Sequence, residues 1–195
     1  MTPIGQAAAG QLVDESAEAL HGGKPMVVVG VDGSAASDEA LRFAVREAQL
    51  RDATLRIVTS HDLAAVTYGY AGMFDIGPFE DGLRLAAEAL VATAADSVAA
   101  SSKGSPVPVE TVVVQGRASQ VLLEAAKGAA LLVVGARGAG AFTRLMMGST
   151  STEVVHHAHV PVAIVPCAER PKASSGVRTP QRSEHSRAPS GDNRI

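Results

Sequence analysis

The segment ALLVVGARGAGAFTRLMMGSTST, residues 130–152, decides the fold class. It begins with an apolar run that is typical of a strand buried on both faces. A glycine-rich loop follows, and the segment ends in hydroxyl residues that precede a helical pattern. Strand, glycine loop and helix in this order indicate an α/β domain with a parallel sheet, in which ligands bind beyond the carboxyl ends of the strands.

The same alternation of strand and helix continues on both sides of this segment. Apolar or β-branched runs predict five strands, which are Met26–Asp32, Leu55–Ser60, Val107–Val114, Ala130–Gly135 and Val160–Val165. Amphipathic periodicity predicts a first helix after Ser34 or Ser37, either of which can be its N-cap, and further helices at about 80–100, 119–127 and 149–157. We therefore expect a single parallel sheet with right-handed crossovers.

Composition indicates a globular chain and argues against several functional classes. The chain has 195 residues, of which 46% are hydrophobic and 3% aromatic, and it carries a net charge of −3. Negative charge and few aromatic side chains argue against binding of nucleic acid or an anionic membrane. No apolar run reaches the roughly 18 residues that span a bilayer. The start MTPIGQAAAG lacks the features of a secretory signal, and the single cysteine, Cys167, fits a reducing compartment, so we expect a cytoplasmic protein.

Three regions can be distinguished along the chain. Residues 1–24 are rich in alanine and glycine and are expected to form a flexible arm, whereas residues 25–168 form the folded domain. Residues 169–195 contain six Lys or Arg against three Asp or Glu and almost no large apolar side chain, which predicts a disordered basic tail. Within the domain, residues 61–79 are expected to form a long loop of unassigned role.

The glycine loop has the composition of a phosphate site. Gly135 and Gly138 lack a Cβ atom, so we expect the backbone to turn sharply there and to approach a ligand closely. A helix N-terminus offers free amides to an anion, and hydroxyl groups add donors. The residues that provide these groups are Gly148, Ser149, Thr150 and Ser151.

Asp32 ends the first predicted strand at the same edge of the sheet. Its carboxylate can accept hydrogen bonds from ribose hydroxyls or an adenine amine, although it can also serve only as a helix cap. The two common glycine motifs do not fit this chain. The loop has the order G-x-x-G-x-G instead of G-x-G-x-x-G, and neither Lys24 nor Lys127 is followed by a hydroxyl residue as in a P-loop.

The chain resembles the ATP-binding branch of the universal stress protein family. The resemblance rests on VVVGVDGS at 27–34, on the spacing G-x2-G-x9-G-S at 135–149 and on the terminal VPVAIVP, and it covers about residues 25–168. It implies an open five-stranded parallel sheet of order 3-2-1-4-5 with helices on both faces, a Rossmann-type fold like that of the adenine-nucleotide alpha-hydrolases. It also implies ATP, together with Mg2+, as the ligand and a homodimer paired through the last strand, residues 160–165.

The resemblance also assigns roles to residues by position. Val31 and Asp32 should face the adenosine, and Ser60 should lie near the base, although Ser60 departs from the aliphatic residue that is common there. The residues that should line the ribose and phosphates are Gly135, Arg137 and Gly138, and those that should hold the triphosphate are Gly148 to Ser151.

These features favour a nucleotide-dependent regulatory module of the stress response with an unknown protein partner. One alternative is an enzyme with slow ATP hydrolysis or autophosphorylation of Ser149 or Ser151, and another is a nucleotide-independent scaffold acting through the basic tail. No residue is assigned a catalytic role. The histidines His156, His157 and His159 fall at a predicted helix C-terminus, where positive charge is favourable, so no metal site is predicted there.

Overall fold

The computed structural model describes residues 23–62, 77–102, 104–137 and 147–167. The strands are β1 (Met26–Gly30), β2 (Thr54–His61), β3 (Val109–Gln115), β4 (Leu131–Gly135) and β5 (Val162–Val165). The helices are α1 (Ala35–Arg51), α2 (Gly77–Ser101), α3 (Ala118–Ala125) and α4 (Ser149–His157). Predictions for the N-terminal arm up to residue 22, for residues 63–76, for most of the glycine loop and for the tail lie outside the described residues.

The five strands form one parallel sheet in the order β3-β2-β1-β4-β5, which confirms the expected topology. The chain winds outward from β1 to β3 and then returns to place β4 on the other side of β1. This reversal leaves a gap between the connections that follow β1 and β4 at the carboxyl edge. Such switch points are where open α/β sheets bind ligands.

Helices cover both faces of the sheet and divide the core into two clusters. On one face α1 and α2 pack on a cluster that includes Val27, Val29 and Ile57. On the other face α3 and α4 pack on a cluster that includes Val28 and Leu132. All five of these side chains are fully buried, as expected for strands of a parallel sheet with both faces covered.

The segment after β1 differs from the sequence prediction. The strand ends at Gly30 instead of Asp32, because the chain turns through Gly33, whose φ of +75° lies in the region that favours glycine. Ser34 is the N-cap of α1, since its Oγ accepts a hydrogen bond from the Ser37 amide at 3.1 Å. The turn therefore brings Asp32 and the first turn of α1 to the carboxyl edge.

Other boundaries also differ from prediction: those of β2, β4, β5 and α3 by one or two residues, and those of α2 and β3 as follows. The helix α2 begins at Gly77, inside the segment that was expected to form a loop as far as Phe79. The strand β3 begins at Val109, two residues later than expected, because Pro108 has no amide hydrogen to donate to the ladder, although its carbonyl accepts a hydrogen bond from Leu55. Of the helices in the described parts of the chain, none combines the length and the apolar character needed to cross a membrane.

Candidate functional site

A cleft with a volume of about 430 Å3 opens at the carboxyl edge of the sheet, at the switch point between β1 and β4. Its walls come from β1, β2 and β4, from the first turns of α1, α3 and α4, and from the segments that join them. The lining residues are Gly30, Val31, Asp32, Ser37, Val58, Thr59, Ser60, Ala118, Val121, Leu122, Val134, Gly135, Arg137, Gly148, Ser149, Thr150 and Ser151.

One end of the cleft is the N-terminus of α4. Gly148 is the N-cap, and its amide donates to the Ala136 carbonyl at 2.8 Å. The amide of Thr152 makes the bond to the Gly148 carbonyl, at 2.9 Å, that closes the first turn of the helix. The three amides between them, those of residues 149–151, precede that bond, and no side chain of the described residues caps them. They form a positive helix end that favours an anion.

The hydroxyl group of Ser151 is engaged in a structural bond, which corrects the prediction that it donates to phosphate. Its Oγ donates to the Gly135 carbonyl at 2.6 Å, and the side chain is buried. Because a hydroxyl group has a single hydrogen, it cannot donate to a ligand at the same time. Ser151 therefore fixes the first turn of α4 to the end of β4, while Ser149 is exposed in the cleft.

Gly135 is required for packing, which is a reason in addition to the close ligand approach expected from the sequence. A Cβ atom at this position would lie 2.9 Å from the carbonyl carbon of Ala36 and 3.0 Å from its oxygen. Both neighbours are backbone atoms of α1 and cannot move aside cheaply. The absence of a side chain thus lets β4 and α1 approach each other, and both then border the same cleft.

The other end of the cleft is apolar. Val58 from β2 and Val121 and Leu122 from α3 form its wall, and each is buried to at least 94% of its surface. The side chain of Leu122 also packs over Gly30, where an added Cβ would meet it at 3.0 Å. This wall offers an apolar surface to a ring system at the end of the cleft away from the α4 N-terminus.

The strand β2 continues beyond the end of β1, which exposes part of its backbone to the cleft. The last β1 residue, Gly30, pairs with Val58, and the Val31 amide donates to the Val58 carbonyl at 2.9 Å. Backbone groups alternate in direction along a strand, so Ser60 directs its amide and carbonyl to the same side as Val58. There β1 has already ended, and these two groups of Ser60 face the cleft.

Asp32 lies on the wall between the two ends. Its carboxylate accepts a hydrogen bond from the Ser34 amide at 3.0 Å, which stabilises the turn through Gly33. Because Ser34 caps α1, the reading of Asp32 as the cap of that helix is wrong. Among the cleft residues that the structure describes, Asp32 is the acidic side chain and Arg137 the basic one.

Nine of the ten candidate residues predicted from the sequence line this one cleft, and the tenth, Gly138, lies outside the described residues. Sequence reasoning missed the other eight lining residues, three of them on α3. The eight are Gly30, Ser37, Val58, Thr59, Ala118, Val121, Leu122 and Val134. A signal was present for α3, since it follows a strand in a parallel sheet and so starts at the same edge. The described residues include no group of three or more His, Cys, Asp or Glu side chains placed to hold a metal ion.

Comparisons with known proteins agree with this architecture. The model of the universal stress protein family matches residues 26–166. A universal stress protein of Mycolicibacterium smegmatis is 35% identical over 147 residues, which are 71% of this chain and 47% of that protein. This chain thus spans about half the length of the curated relatives it matches.

Two solved structures are similar to this chain over nearly their whole length. The universal stress protein UspA from Lactobacillus plantarum has a TM-score of 0.54 and 25% identity, covering 72% of this chain and 97% of its own. A universal stress protein solved in complex with cAMP has a TM-score of 0.53 and 26% identity, covering 74% and 98%. By its sequence, its sheet order and these similarities, the chain belongs to the universal stress protein family.

Proposed function

We propose that this chain binds ATP, together with Mg2+, in the cleft and acts as a nucleotide-dependent regulatory module of the stress response. The observation that carries the proposal is the polarity of the cleft. An apolar wall with exposed backbone groups lies at one end and the free amides of the α4 N-terminus lie at the other. A nucleotide has the same polarity, with a base at one end and phosphates at the other.

The proposed position of the base is against Val58 and Leu122, beside the backbone of Ser60. An amide and a carbonyl on one residue can pair with an acceptor and a donor on a base edge, as adenine N1 and N6 are. In this arrangement the Ser60 side chain need not contact the base. The departure of Ser60 from the aliphatic residue that is common there would then have little effect on affinity.

The proposed position of the phosphates is at the amides of residues 149–151, with Arg137 and Gly138 on the side of the glycine loop. These amides and the guanidinium group attract negative charge, and the helix dipole adds to the attraction. Asp32, which lines the cleft, would accept hydrogen bonds from the ribose hydroxyls. Mg2+ would be held mainly by phosphate oxygens, as is usual for this ion.

A structural relative supports the choice of ligand class. The universal stress protein described above as a cAMP complex shares 26% identity with this chain and has a TM-score of 0.53. ATP and cAMP contain the same adenosine and differ in their phosphates. The family resemblance favours ATP, and a direct comparison of the two nucleotides decides between them.

Titration calorimetry of the purified chain with Mg-ATP, Mg-GTP and cAMP tests the proposal. We expect saturable binding of ATP that is tighter than that of GTP. Gly148→Leu should abolish it, because the new side chain would lie at the amides of α4. Gly82→Leu is the matched control, since Gly82 is exposed on α2 and has no neighbour near its Cβ position. Absence of heat and of a thermal shift with every adenine nucleotide would remove the proposal.

An enzymatic role on the same site is a second candidate, favoured by one observation. Ser149 is exposed in the cleft at the first position of α4, where the terminal phosphate is proposed to lie, whereas the Ser151 hydroxyl is engaged with Gly135. Prolonged incubation with Mg-ATP followed by mass spectrometry tests it. A phosphoryl adduct on Ser149 that disappears in Ser149→Ala supports this role. Intact ATP and an unmodified chain exclude it.

A further inference from the structure

A hydrogen-bonded link joins α3 to α4 next to the cleft but outside it. The buried Oγ of Ser119, in the first turn of α3, donates to Glu153 Oε2 at 2.8 Å. The other carboxylate oxygen, Oε1, accepts from the Arg117 guanidinium at 3.3 Å. Ser119 and Glu153 are 34 residues apart in sequence, and neither is among the residues that line the cleft.

The two helices joined by this link supply opposite ends of the cleft. From α3 come Val121 and Leu122 of the apolar wall, and from α4 come the amides that favour an anion. On its other side α4 is fixed to β4 by the bond from Ser151 to the Gly135 carbonyl. The bond to β4 and the link to α3 thus both help to position the α4 N-terminus relative to the apolar wall, together with the bond from the Gly148 amide to the Ala136 carbonyl and the packing of the buried Val154.

We infer that Glu153 is a positioning residue, which sets the distance between the apolar end and the anion end of the cleft through its hydrogen bond with Ser119. This inference rests on the proposed function of the cleft. A carboxylate suits the position, because it lies at the positive end of α3 and accepts from two donors of that end. The exposed ion pair with Arg117 contributes less, because solvent screens it.

The inference predicts that removal of this hydrogen bond lowers affinity by an amount that depends on the length of the ligand. Mg-ATP would contact both ends of the cleft, whereas adenosine would contact only the apolar end and inorganic triphosphate only the anion end. Ser119→Ala and Glu153→Ala should each lower the affinity for Mg-ATP by about tenfold, which is the scale of a hydrogen bond to a charged group. The affinities for adenosine and for inorganic triphosphate should change by less than about twofold, since neither ligand spans the two helices.

Two further variants separate the hydrogen bond from the ion pair. Glu153→Gln keeps an oxygen that can accept from Ser119, and it should retain most of the affinity for Mg-ATP. The double variant, with alanine at both Ser119 and Glu153, should lose no more affinity for Mg-ATP than either single variant. Each single substitution already removes the same hydrogen bond. Glu124→Ala is the control, since it removes a similar exposed carboxylate that pairs with Lys127 within the α3 region and does not link the helices.

Hydrogen exchange of the free protein gives a readout that needs no nucleotide. Ser119→Ala should speed exchange of the α4 amides in residues 152–157, and Glu124→Ala should not. Failure of the original chain to bind Mg-ATP would remove the proposed function, and unchanged exchange would then overturn the link independently. An equal loss of affinity for all three ligands would also overturn the inference. So would a Glu153→Gln variant that binds Mg-ATP as weakly as Glu153→Ala does.

Discussion

The hydroxyl group of Ser151 donates a hydrogen bond to the carbonyl of Gly135 at 2.6 Å, and this bond joins the first turn of α4 to the end of β4. The two residues flank the glycine-rich segment of the sequence, so the bond joins the two ends of that segment. The helix N-terminus is thereby held beside the strand edge where the cleft lies. The sequence motif resembles a set of phosphate donors, but one of its hydroxyl groups, that of Ser151, has a structural role.

Ser151→Ala should lower the free energy of unfolding by about 1–2 kcal/mol, because it leaves the Gly135 carbonyl without this buried donor. The affinity for Mg-ATP should fall as well, since the α4 N-terminus is held less firmly. Urea unfolding and calorimetry measure the two effects. Ser151→Thr keeps the hydroxyl group and should restore much of both, while Thr152→Ala removes an exposed hydroxyl of the same helix and should change neither.

Gly135→Ala should destabilise the fold by about 1–3 kcal/mol, because the added Cβ meets backbone atoms of Ala36 at 2.9–3.0 Å. The same substitution at Gly82 should have the opposite effect on stability. Gly82 lies within α2 with nothing within 4 Å of its Cβ position, so alanine there should stabilise the protein by about 0.5–1 kcal/mol. Chemical denaturation of both variants checks the pair. Equal effects at the two positions would contradict the assignment of Gly135 to packing.

The parts of this protein that were predictable from sequence are those with a local signal. The bounds of α4, Ser149–His157, agree with the prediction, because glycine and hydroxyl residues mark its start and a proline follows its end at position 161. The buried strands were equally visible as continuous apolar runs. The sheet order came from the resemblance and is confirmed, since alternation of strand and helix alone does not determine it.

The parts that were not predictable depend on contacts between distant segments. Leu122 lines the cleft, yet in sequence it cannot be told from any other core leucine of an amphipathic helix. The link between Ser119 and Glu153 joins residues on different helices, and no spacing in the sequence predicts it. The role of Gly135 likewise depends on how closely α1 approaches β4, which only the packed structure determines.

Ser149→Asp should separate stability from ligand binding. A carboxylate at the first position of α4 interacts favourably with the helix dipole, so the unfolding free energy should rise by about 0.3–1 kcal/mol. The same charge should repel the phosphates and weaken Mg-ATP by more than about tenfold, as expected for like charges at close range. Thr152→Asp adds the same charge to the same helix at a position outside the cleft lining and is the control. Unimpaired ATP binding by Ser149→Asp would contradict the proposed phosphate position.

Glu39 should show a measurable shift in its titration. The hydrogen bond from Arg42 lowers the pKa of Glu39 below its ordinary value of 4.5, and the charge of the same guanidinium acts in the same direction. Because this pKa is lower in the folded than in the unfolded chain, the small contribution to stability is present above the unfolded value and is lost as pH falls through the folded value. Arg42→Ala should raise the pKa of Glu39, as followed by NMR. Arg46→Ala, which removes only a longer-range attraction, should raise it less.

Dimerisation through β5 is proposed from the resemblance, and the register of the sheet suggests how to test it. The carbonyls of Pro161 and Val165 accept hydrogen bonds from the amides of Leu132 in β4 and of Ala136 directly after it. Val162 and Ile164 therefore direct their backbone groups away from the sheet. Ile164→Pro removes one outward amide and leaves the ladder with β4 unchanged. If two copies pair along this edge, the variant should be monomeric in sedimentation experiments.

A matched change at the opposite edge is the control for this experiment. The Pro108 carbonyl and the Gly116 amide bond to β2, so Thr111, at an odd position between them, faces outward from β3. Thr111→Pro should therefore perturb an edge strand to a similar degree without altering the oligomeric state. Circular dichroism establishes that both variants remain folded, which matters because proline can strain a strand. Equal dissociation by both variants, or a folded Ile164→Pro that stays dimeric, would exclude β5 as the interface, since an edge pairing needs the outward amides of its own strand.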